Sequence, residues 1–262
     1  MKASILSLAL ALSSTSVVLG SLASESSGLE QKAPKTFVVN CAATGKNKGA
    51  GETCNTMCFG ANCHFNRTIY TFDNASDSQQ SKRRTKAGCV RGKGKNPCEN
   101  NPAGNSCDEF PFASTSDADT ETQIYRCVKK NDNDSQGGQV SNMRKNVCKN
   151  KFPCQFSLSF QGEQKYQYCK PSPNCTNDGN IFTKGNKPVR RDLKDTPTSE
   201  GGYFQLRSGE TIYSPIDLSI STVAIRQVWN ATVDADLETR DALEEDDDDF
   251  GELVEDEVVS KL

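Results

Sequence analysis

The stretch FPCQFSLSF (residues 152–160) gives the strongest secondary-structure signal in the chain. Five apolar residues stand at strict period two, from Phe152 to Phe160. Successive side chains of a β-strand point to opposite faces of its sheet, so this alternation predicts a strand with one buried, aromatic face. Pro153 affects only the beginning of the strand. The stretch therefore predicts a core strand around which the fold is built.

Shorter patterns upstream predict the other elements of one small domain. TQIYRCV (122–128) and EFPFAS (109–114) predict two further strands, and RTIYTF (67–72) predicts one more among loops. KNDNDSQGG (130–138) consists of turn-forming residues, whereas QVSNMRKNVCKN (139–150) has apolar residues at helical spacing. The order strand, strand, loop, short helix, strand predicts a small α+β fold.

The amino terminus and the cysteine content indicate a secreted protein. Residues 1–23 combine a basic start, an apolar run and small residues before a cleavage site after Ala23, as in a secretory signal peptide. All 12 cysteines lie between Cys41 and Cys175. An even number behind a signal peptide predicts six disulfides formed in an oxidising compartment. No later segment is long and apolar enough for a membrane span, so no membrane association is expected.

Two local patterns have alternative interpretations. The spacing from Cys54 to His64 resembles a zinc site, but disulfide-bonded sulfurs are not thiolate ligands, so we expect His64 to be an ordinary, partly buried histidine. Asn-x-Ser/Thr sequons are N-glycosylation acceptors in secreted proteins. We expect glycans at Asn66, Asn74, Asn174 and Asn230.

Charge divides the mature chain into a basic and an acidic part. Residues 24–191 contain 25 Lys and Arg against 15 Asp and Glu, a net charge of +10, whereas residues 192–262 contain 5 against 19, a net charge of −14. We divide the chain into a cysteine-rich part (24–85), a central region (86–191) and an acidic tail (192–262). The tail has strand-like apolar runs at 203–229, but its acidic end predicts disorder. A hypothesis is that the tail associates with the basic part.

The basic residues cluster in two short stretches, which favours binding to phosphates. Lys and Arg clusters gain affinity for a polyphosphate by releasing counterions, without reading sequence. The alternatives are a solvated loop or a proprotein-processing site at Lys82-Arg83. The candidate nucleic-acid-binding residues are Lys82, Arg83, Arg84, Lys86, Arg91, Lys93, Arg144 and Lys145.

CDEFPFAST (107–115) places two adjacent acids before an aromatic residue, a proline and an apolar segment. Neighbouring carboxylates repel each other, so solvent or a cation must compensate Asp108 and Glu109. One interpretation is a solvated turn that leads into a strand. The other is an acid–base site that uses a metal ion.

CDEFPFAST, IYRCV and NDSQGGQVSN together resemble the NucA/NucB deoxyribonucleases, a family of secreted endonucleases of bacteria and fungi. The resemblance rests on Asp108-Glu109-Phe110-Pro111, on Arg126, and on Asn133 with Gly137, Val140 and Asn142, and it covers residues 86–161. It implies a ββα metal finger in which an acid stands where related nucleases use a histidine base.

The resemblance also implies roles for individual residues. Asp108 would activate water and Arg126 would pair with a phosphate oxygen, while Glu109 would ligate the metal, orient Arg126 or set the pKa of Asp108. One Mg²⁺ or Mn²⁺ would be held by Asn133 and water, with Asp132, Asp134 or Asn142 as alternative ligands. The substrate would be DNA, with RNA also open, and Asn133 itself begins a sequon whose glycan would block the metal.

A second reading belongs to another functional class. The chain would be a non-catalytic, disulfide-rich secreted binding protein or effector on a nuclease-like scaffold that has lost its metal. Metal-dependent nicking of DNA distinguishes the two readings.

Overall fold

The structure is a computed structural model that describes residues 34–43, 48–65, 67–90, 92, 94–189, 201–228 and 252–262. The predicted signal peptide (1–23) lies outside these ranges, as do Asn66, Arg91, Lys93 and Asn230. Among the helices that are described, none has the length and apolar composition needed to cross a bilayer.

The described residues contain eleven strands in two sheets. In chain order, the strands are β1 (Lys35–Asn40), β2 (Ile69–Phe72), β3 (Ser106–Phe110), β4 (Ile124–Val128), β5 (Cys154–Gln161), β6 (Ile181–Thr183), β7 (Lys187–Pro188), β8 (Gly202–Leu206), β9 (Thr211–Ser214), β10 (Val223–Val228) and β11 (Glu252–Lys261). The larger sheet has the order β1-β10-β11-β8-β9-β5-β2, and the smaller one β3-β4-β6-β7.

The larger sheet closes on itself because β5 pairs along both edges. One edge pairs in parallel with β1 over six residues, and the other pairs antiparallel with β2 and, at Phe160, with β9. Because β1 also pairs with β10, the strands β1, β10, β11, β8, β9 and β5 form a closed barrel. Phe156 and Phe160 are 0 % exposed and Leu158 is 2 % exposed, which confirms the predicted core strand.

The segment after residue 192 supplies four of the barrel strands. The apolar runs at 203–229 form β8, β9 and β10, as predicted. The prediction of disorder for the acidic end is wrong over Glu252–Lys261, which forms β11. β11 pairs with β10 and β8, and its Asp256 bonds Arg226 Nε at 2.8 Å, so backbone pairing and ion pairs compensate its charge. The preceding acidic run at 244–249, on which the self-association hypothesis depends, lies outside the described residues.

Four α-helices pack around the strands in the described chain. They are α1 (Thr53–Phe59), α2 (Asp77–Ala87), α3 (Asp117–Thr120) and α4 (Lys130–Asn142), and π-helical turns follow α1 at Gly60–His64 and α4 at Met143–Val147. The prediction of a turn at 130–138 is wrong, because these residues form most of α4. Buried Gln136 and Gln139 attach this helix to the core, with Gln139 bonding the Asn40 backbone at 2.9 and 3.1 Å, and this packing overrides a weak helix propensity.

All 12 cysteines form six disulfides, as predicted, and the zinc alternative is excluded because no free thiol remains. His64 is half-buried beside Phe59 and Phe65, as expected. The disulfides together with the mixed helices and strands confirm the coarse α+β, disulfide-rich class. The pairs are Cys41–Cys54, Cys58–Cys169, Cys63–Cys175, Cys89–Cys107, Cys98–Cys127 and Cys148–Cys154.

Glu163, in the loop after β5, is a buried carboxyl that should make stability depend on pH. It is 0 % exposed, and neither carboxyl oxygen has a hydrogen-bond partner in the described structure. Burial raises its pKa from 4.5 to about 7. Since the folded state binds the proton more tightly than the unfolded state, stability should fall as pH rises from about 4.5 to about 7, by roughly 3 kcal/mol in total.

Glu163→Gln removes this titration. The melting temperature of the variant should therefore rise relative to that of the wild type as the pH increases from 4.5 to 8. Thermal unfolding of both proteins at several pH values measures the gain, and titrations common to the two cancel in the difference. A difference that stays constant with pH would contradict the assignment.

Candidate active site

The β3–β4 hairpin decides which of the predicted residues meet. Asp108 lies directly opposite Arg126, Cys107 opposite Cys127, and Glu109 opposite Tyr125. Cross-strand neighbours have Cβ atoms about 5 Å apart, and alternate residues point to opposite faces. The hairpin therefore brings Asp108 and Arg126 together on one face and places Glu109 on the other.

Disulfides and helices fix the two faces of the hairpin. On the Glu109 face, Cys107 and Cys127 are bonded to Cys89 and Cys98 of the preceding loop. The Asp108 face carries the buried Phe110, and α1 and α4 pack against the hairpin. This arrangement buries the Asp108 side chain.

Burial dominates the chemistry of Asp108, which is 1 % exposed. Burial raises its pKa from 3.8 to about 8, and the nearby Glu109 charge acts in the same direction. The Thr56 hydroxyl, the Gln136 amide and the Arg126 charge act in the opposite direction. A carboxyl with such a pKa is a far stronger base, once deprotonated, than an ordinary aspartate.

Several polar atoms around Asp108 are buried and lack a hydrogen bond of good geometry in the described structure. They are Asp108 Oδ2, Thr56 Oγ1, Gln136 Nε2 and Arg126 Nε. These groups come from β3, α1, α4 and β4, so four elements converge on one polar cluster. Buried polar atoms normally have partners, and a set without them is typical of a site that binds water, an ion or substrate.

Arg126 is held by two carboxylates that the sequence did not predict. Its Nη1 donates to Asp178 Oδ1 at 2.9 Å, and its Nη2 lies 3.1 Å from Glu52 Oε2 and 2.7 Å from Asp178 Oδ2. The Arg126 side chain is 7 % exposed, against 43 % for Glu52 and 25 % for Asp178. Its terminal nitrogens are therefore already paired with carboxylates.

The segment before α1 approaches α4 very closely. The Glu52 backbone N–H donates to Asp132 Oδ2 at 3.0 Å, and Gly51 has φ +53°. A Cβ atom at Gly51 would lie 2.2 Å from the Asp132 carboxyl carbon, so glycine is required here. This approach sets Glu52 beside Arg126.

Glu109 is paired on the far face of β3. Its carboxylate lies 3.4 Å from Arg84 Nε, and its side chain is 14 % exposed. The carboxylates that pair with Arg126 are Glu52 and Asp178, while Glu109 acts on Asp108 as a nearby like charge. Its role toward the metal ion, Arg126 or the pKa of Asp108 stays a prediction.

The two asparagines predicted to bind metal lie on α4 and do not share a site. Asn133 Nδ2 donates to Ser106 Oγ at 2.8 Å and to the Cys107 carbonyl at 3.1 Å, which leaves its amide oxygen for a ligand. Asn142 accepts a hydrogen bond from Asn146. Nine helical residues separate them by about 13 Å along the axis and half a turn around it. Asn142, one of the alternative ligands, therefore lies too far from Asn133 to hold the same ion.

The Asn133 amide oxygen, at the edge of the polar cluster, is an oxygen ligand of the kind that suits Mg²⁺ or Mn²⁺ better than a softer metal. The Asp108 carboxyl and the Thr56 hydroxyl are the oxygen groups inside the cluster. The described residues contain no group of three or more His, Cys, Asp or Glu side chains that could hold a metal ion. These donors fit a cation that keeps most of its water, as Mg²⁺ usually does.

Four of the six predicted nucleic-acid-binding residues that the structure describes are engaged in structural contacts. Arg83 is 2 % exposed and paired with Asp73 and Asp119, so its assignment to a phosphate-binding surface is wrong. The other engaged residues are Arg84, paired with Glu109; Lys86, which donates to the Ala118 and Asp119 carbonyls; and Arg144, which lies over Phe72 and Phe152. Lys82 and Lys145 are exposed.

Two of the predicted glycosylation sites are described, Asn74 and Asn174, and both are exposed. Exposure is compatible with a glycan at either position. Asn66 and Asn230 lie outside the described residues.

Sequence reasoning missed Glu52, Thr56 and Asp178. None belongs to a motif, and disulfides bring them to the hairpin: Cys54 and Cys58 anchor α1, while Cys169 and Cys175 anchor the loop before Asp178. Gln136 lies inside the stretch NDSQGGQVSN that resembles the family. Its position there was the one sequence signal that could have placed it in the site.

Comparison with known proteins supports the resemblance. Residues 57–153 match the family model described as deoxyribonuclease NucA/NucB, which covers less than half of the chain. The match begins within α1, earlier than the predicted residue 86, and ends just before β5. No curated protein and no solved structure matches the chain significantly. The matched segment includes Asp108, Arg126 and Asn133, and residues 57–153 are accordingly identified as a domain of the NucA/NucB deoxyribonuclease family.

Proposed function

We propose that the protein is a secreted, divalent-metal-dependent endonuclease that hydrolyses DNA phosphodiester bonds with little sequence specificity. The observation that carries this proposal is the buried Asp108 carboxyl, with its pKa raised to about 8, opposite Arg126 in the segment that matches the family. Six disulfides favour an extracellular location.

Asp108 acts as the general base. Phosphodiester hydrolysis requires removal of a proton from water, and a base works best when its pKa is near the working pH. The described part of the chain has one histidine, His64, which packs between aromatic rings and outside this cluster. The carboxyl of Asp108 thus takes the place that an imidazole occupies in other nucleases.

Arg126 positions and polarises this base. Its charge favours the deprotonated form of Asp108, and Glu52 and Asp178 hold the guanidinium in a fixed orientation. A direct contact with a phosphate oxygen requires the half-exposed Glu52 to exchange its place with the phosphate. Such an exchange adds a charge-assisted hydrogen bond as negative charge builds in the transition state.

The chain order β3, β4, α4 supports the proposal of a ββα metal finger. Asn133 on α4 reaches back to β3, so its amide oxygen lies at the junction of hairpin and helix. One Mg²⁺ or Mn²⁺, held there by Asn133 and by water, would neutralise phosphate charge and stabilise the leaving oxygen. Asp132 and Asp134 both neighbour Asn133 in sequence. Asp132 is the better alternative ligand, because Asp134 is paired with Lys130.

Removal of divalent metal should abolish activity. Supercoiled plasmid should be nicked in the presence of Mg²⁺ or Mn²⁺, and EDTA should lower the rate by about 100-fold or more, because the ion supplies several kcal/mol of charge stabilisation. Adding Mn²⁺ in excess of the EDTA should restore nicking. Gel electrophoresis measures the rate, and a parallel assay on RNA determines the nucleic-acid preference.

Two outcomes would contradict the proposal. Nicking that is insensitive to EDTA would exclude the metal-dependent mechanism. No nicking with either ion, in a protein that melts cooperatively, would favour the non-catalytic binding protein.

A further inference from the structure

A cleft of about 280 Å³ lies next to the candidate active site. Its walls come from the end of β1, the approach to α1, the start of α4 and the loop after β5. The charged and aromatic residues of its lining are Lys48, Glu52, Lys129, Asp132, Lys165 and Tyr166. Lys48, Lys129 and Lys165, called here the cleft lysines, were not singled out by the sequence analysis.

The cleft lysines combine exposure with a position on a concave surface, and none has a carboxylate partner among the described residues. All three are exposed, and none forms an ion pair with any described residue. Lys165 Nζ lies 5.2 Å from the centre of the Tyr166 ring, which fixes it at the wall of the cleft. In contrast, Arg83 and Arg84 of the predicted clusters are paired with carboxylates.

The acidic residues of the cleft are only partly compensated by their contacts. The Glu52 carboxylate is bonded to Arg126, and Asp132 accepts the Glu52 backbone N–H. Three lysines against two acids still give the lining a net positive charge on a concave surface, where low-dielectric walls concentrate the field. Such a surface attracts an anion with several charges.

Two acidic residues connect the cleft to the catalytic groups. Glu52 lines the cleft and pairs with Arg126, which lies opposite Asp108. Asp132 lines the cleft and precedes Asn133, the candidate metal ligand. A phosphate chain seated among the cleft lysines would thus lead directly to the polar cluster.

We propose that the cleft lysines bind consecutive backbone phosphates of the DNA strand that is cleaved and guide the scissile phosphate to Asp108. This inference rests on the proposed nuclease function. Contacts of lysine with phosphates are independent of base sequence, in accord with low specificity. Lys82 and Lys145 are then peripheral to the main DNA-binding surface.

The test measures binding separately from cleavage. Each protein carries Asp108→Asn and is kept in EDTA, and its affinity for a fluorescein-labelled duplex is measured by fluorescence anisotropy across a range of salt concentrations. The triple variant Lys48→Gln, Lys129→Gln, Lys165→Gln should bind at least 10-fold more weakly at low salt. The plot of log affinity against log salt should become shallower, with the magnitude of its slope reduced by about 0.9 for each phosphate that a lysine no longer neutralises.

The matched control removes the same charge elsewhere. Lys95, Lys151 and Lys187 are exposed and do not line the cleft, so replacing them with Gln should leave the slope nearly unchanged. Equal effects of the two triple variants, or an unchanged slope in the cleft triple variant, would overturn the inference.

Plasmid nicking by the proteins with intact Asp108 separates this inference from the proposed nuclease function. If the wild type nicks DNA but the cleft triple variant binds DNA as well as the wild type does, only the role of the cleft is rejected. Cleft-dependent binding without wild-type nicking rejects the nuclease function alone.

Discussion

Asp108→Asn should lower the rate of DNA cleavage by about 10²- to 10⁴-fold, the range for loss of a general base. The amide has the shape of the carboxyl but accepts no proton at neutral pH. Because Asp108 is 1 % exposed and sits in a polar cluster with Thr56 and Gln136, an isosteric replacement should keep the fold. Plasmid nicking under saturating Mn²⁺ measures the rate, and thermal melting confirms that the variant is folded.

Glu109→Gln is the matched control for this variant. It removes a carboxylate from the neighbouring residue, on the opposite face of β3, so the loss of rate should be at least ten times smaller than for Asp108→Asn. Glu109 pairs with Arg84 and acts on Asp108 as a nearby like charge. An equal loss in both variants would instead place Glu109 in the chemistry, and full activity of Asp108→Asn would remove Asp108 from it.

Local alternation was enough to predict the parts of the fold that lie in one continuous segment. The period-two pattern of 152–160 located β5, and the pattern of 122–128 located β4. The helix at 130–138 was missed because its stability comes from buried Gln136 and Gln139, which a propensity argument does not see. The strand at Glu252–Lys261 was missed for a similar reason, since its charges are compensated only after it pairs with β10 and β8.

The candidate site shows the same division between local and distant information. Asp108 and Arg126 were recognised from short motifs, and antiparallel pairing of β3 with β4 then brings them together. Glu52 and Asp178 are 74 and 52 residues away from Arg126 in sequence, and disulfides determine their approach. Charge clusters alone did not separate structural from free basic side chains, because sequence does not reveal which of them already have carboxylate partners.

Arg83→Gln should destabilise the protein by about 3–5 kcal/mol, as expected when a buried charge is removed and its partners lose their counterion. The Arg83 guanidinium bonds Asp73 at 2.6 and 3.0 Å, Asp119 at 2.5 and 2.9 Å, and the Ala113 carbonyl at 3.1 Å. It thereby joins α2 to the segments that follow β2 and β3.

Urea unfolding measures the loss of stability as a lower midpoint at unchanged slope. Arg84→Gln is the adjacent control, because Arg84 is 30 % exposed and has one ion pair at 3.4 Å, so its replacement should cost less than about 1 kcal/mol. Comparing the two variants distinguishes a basic residue that stabilises the fold from one that lies on the surface and is free to bind nucleic acid. If Arg83→Gln kept its stability but bound DNA more weakly than Arg84→Gln, the residue would belong to the nucleic-acid surface and the structural assignment would be wrong.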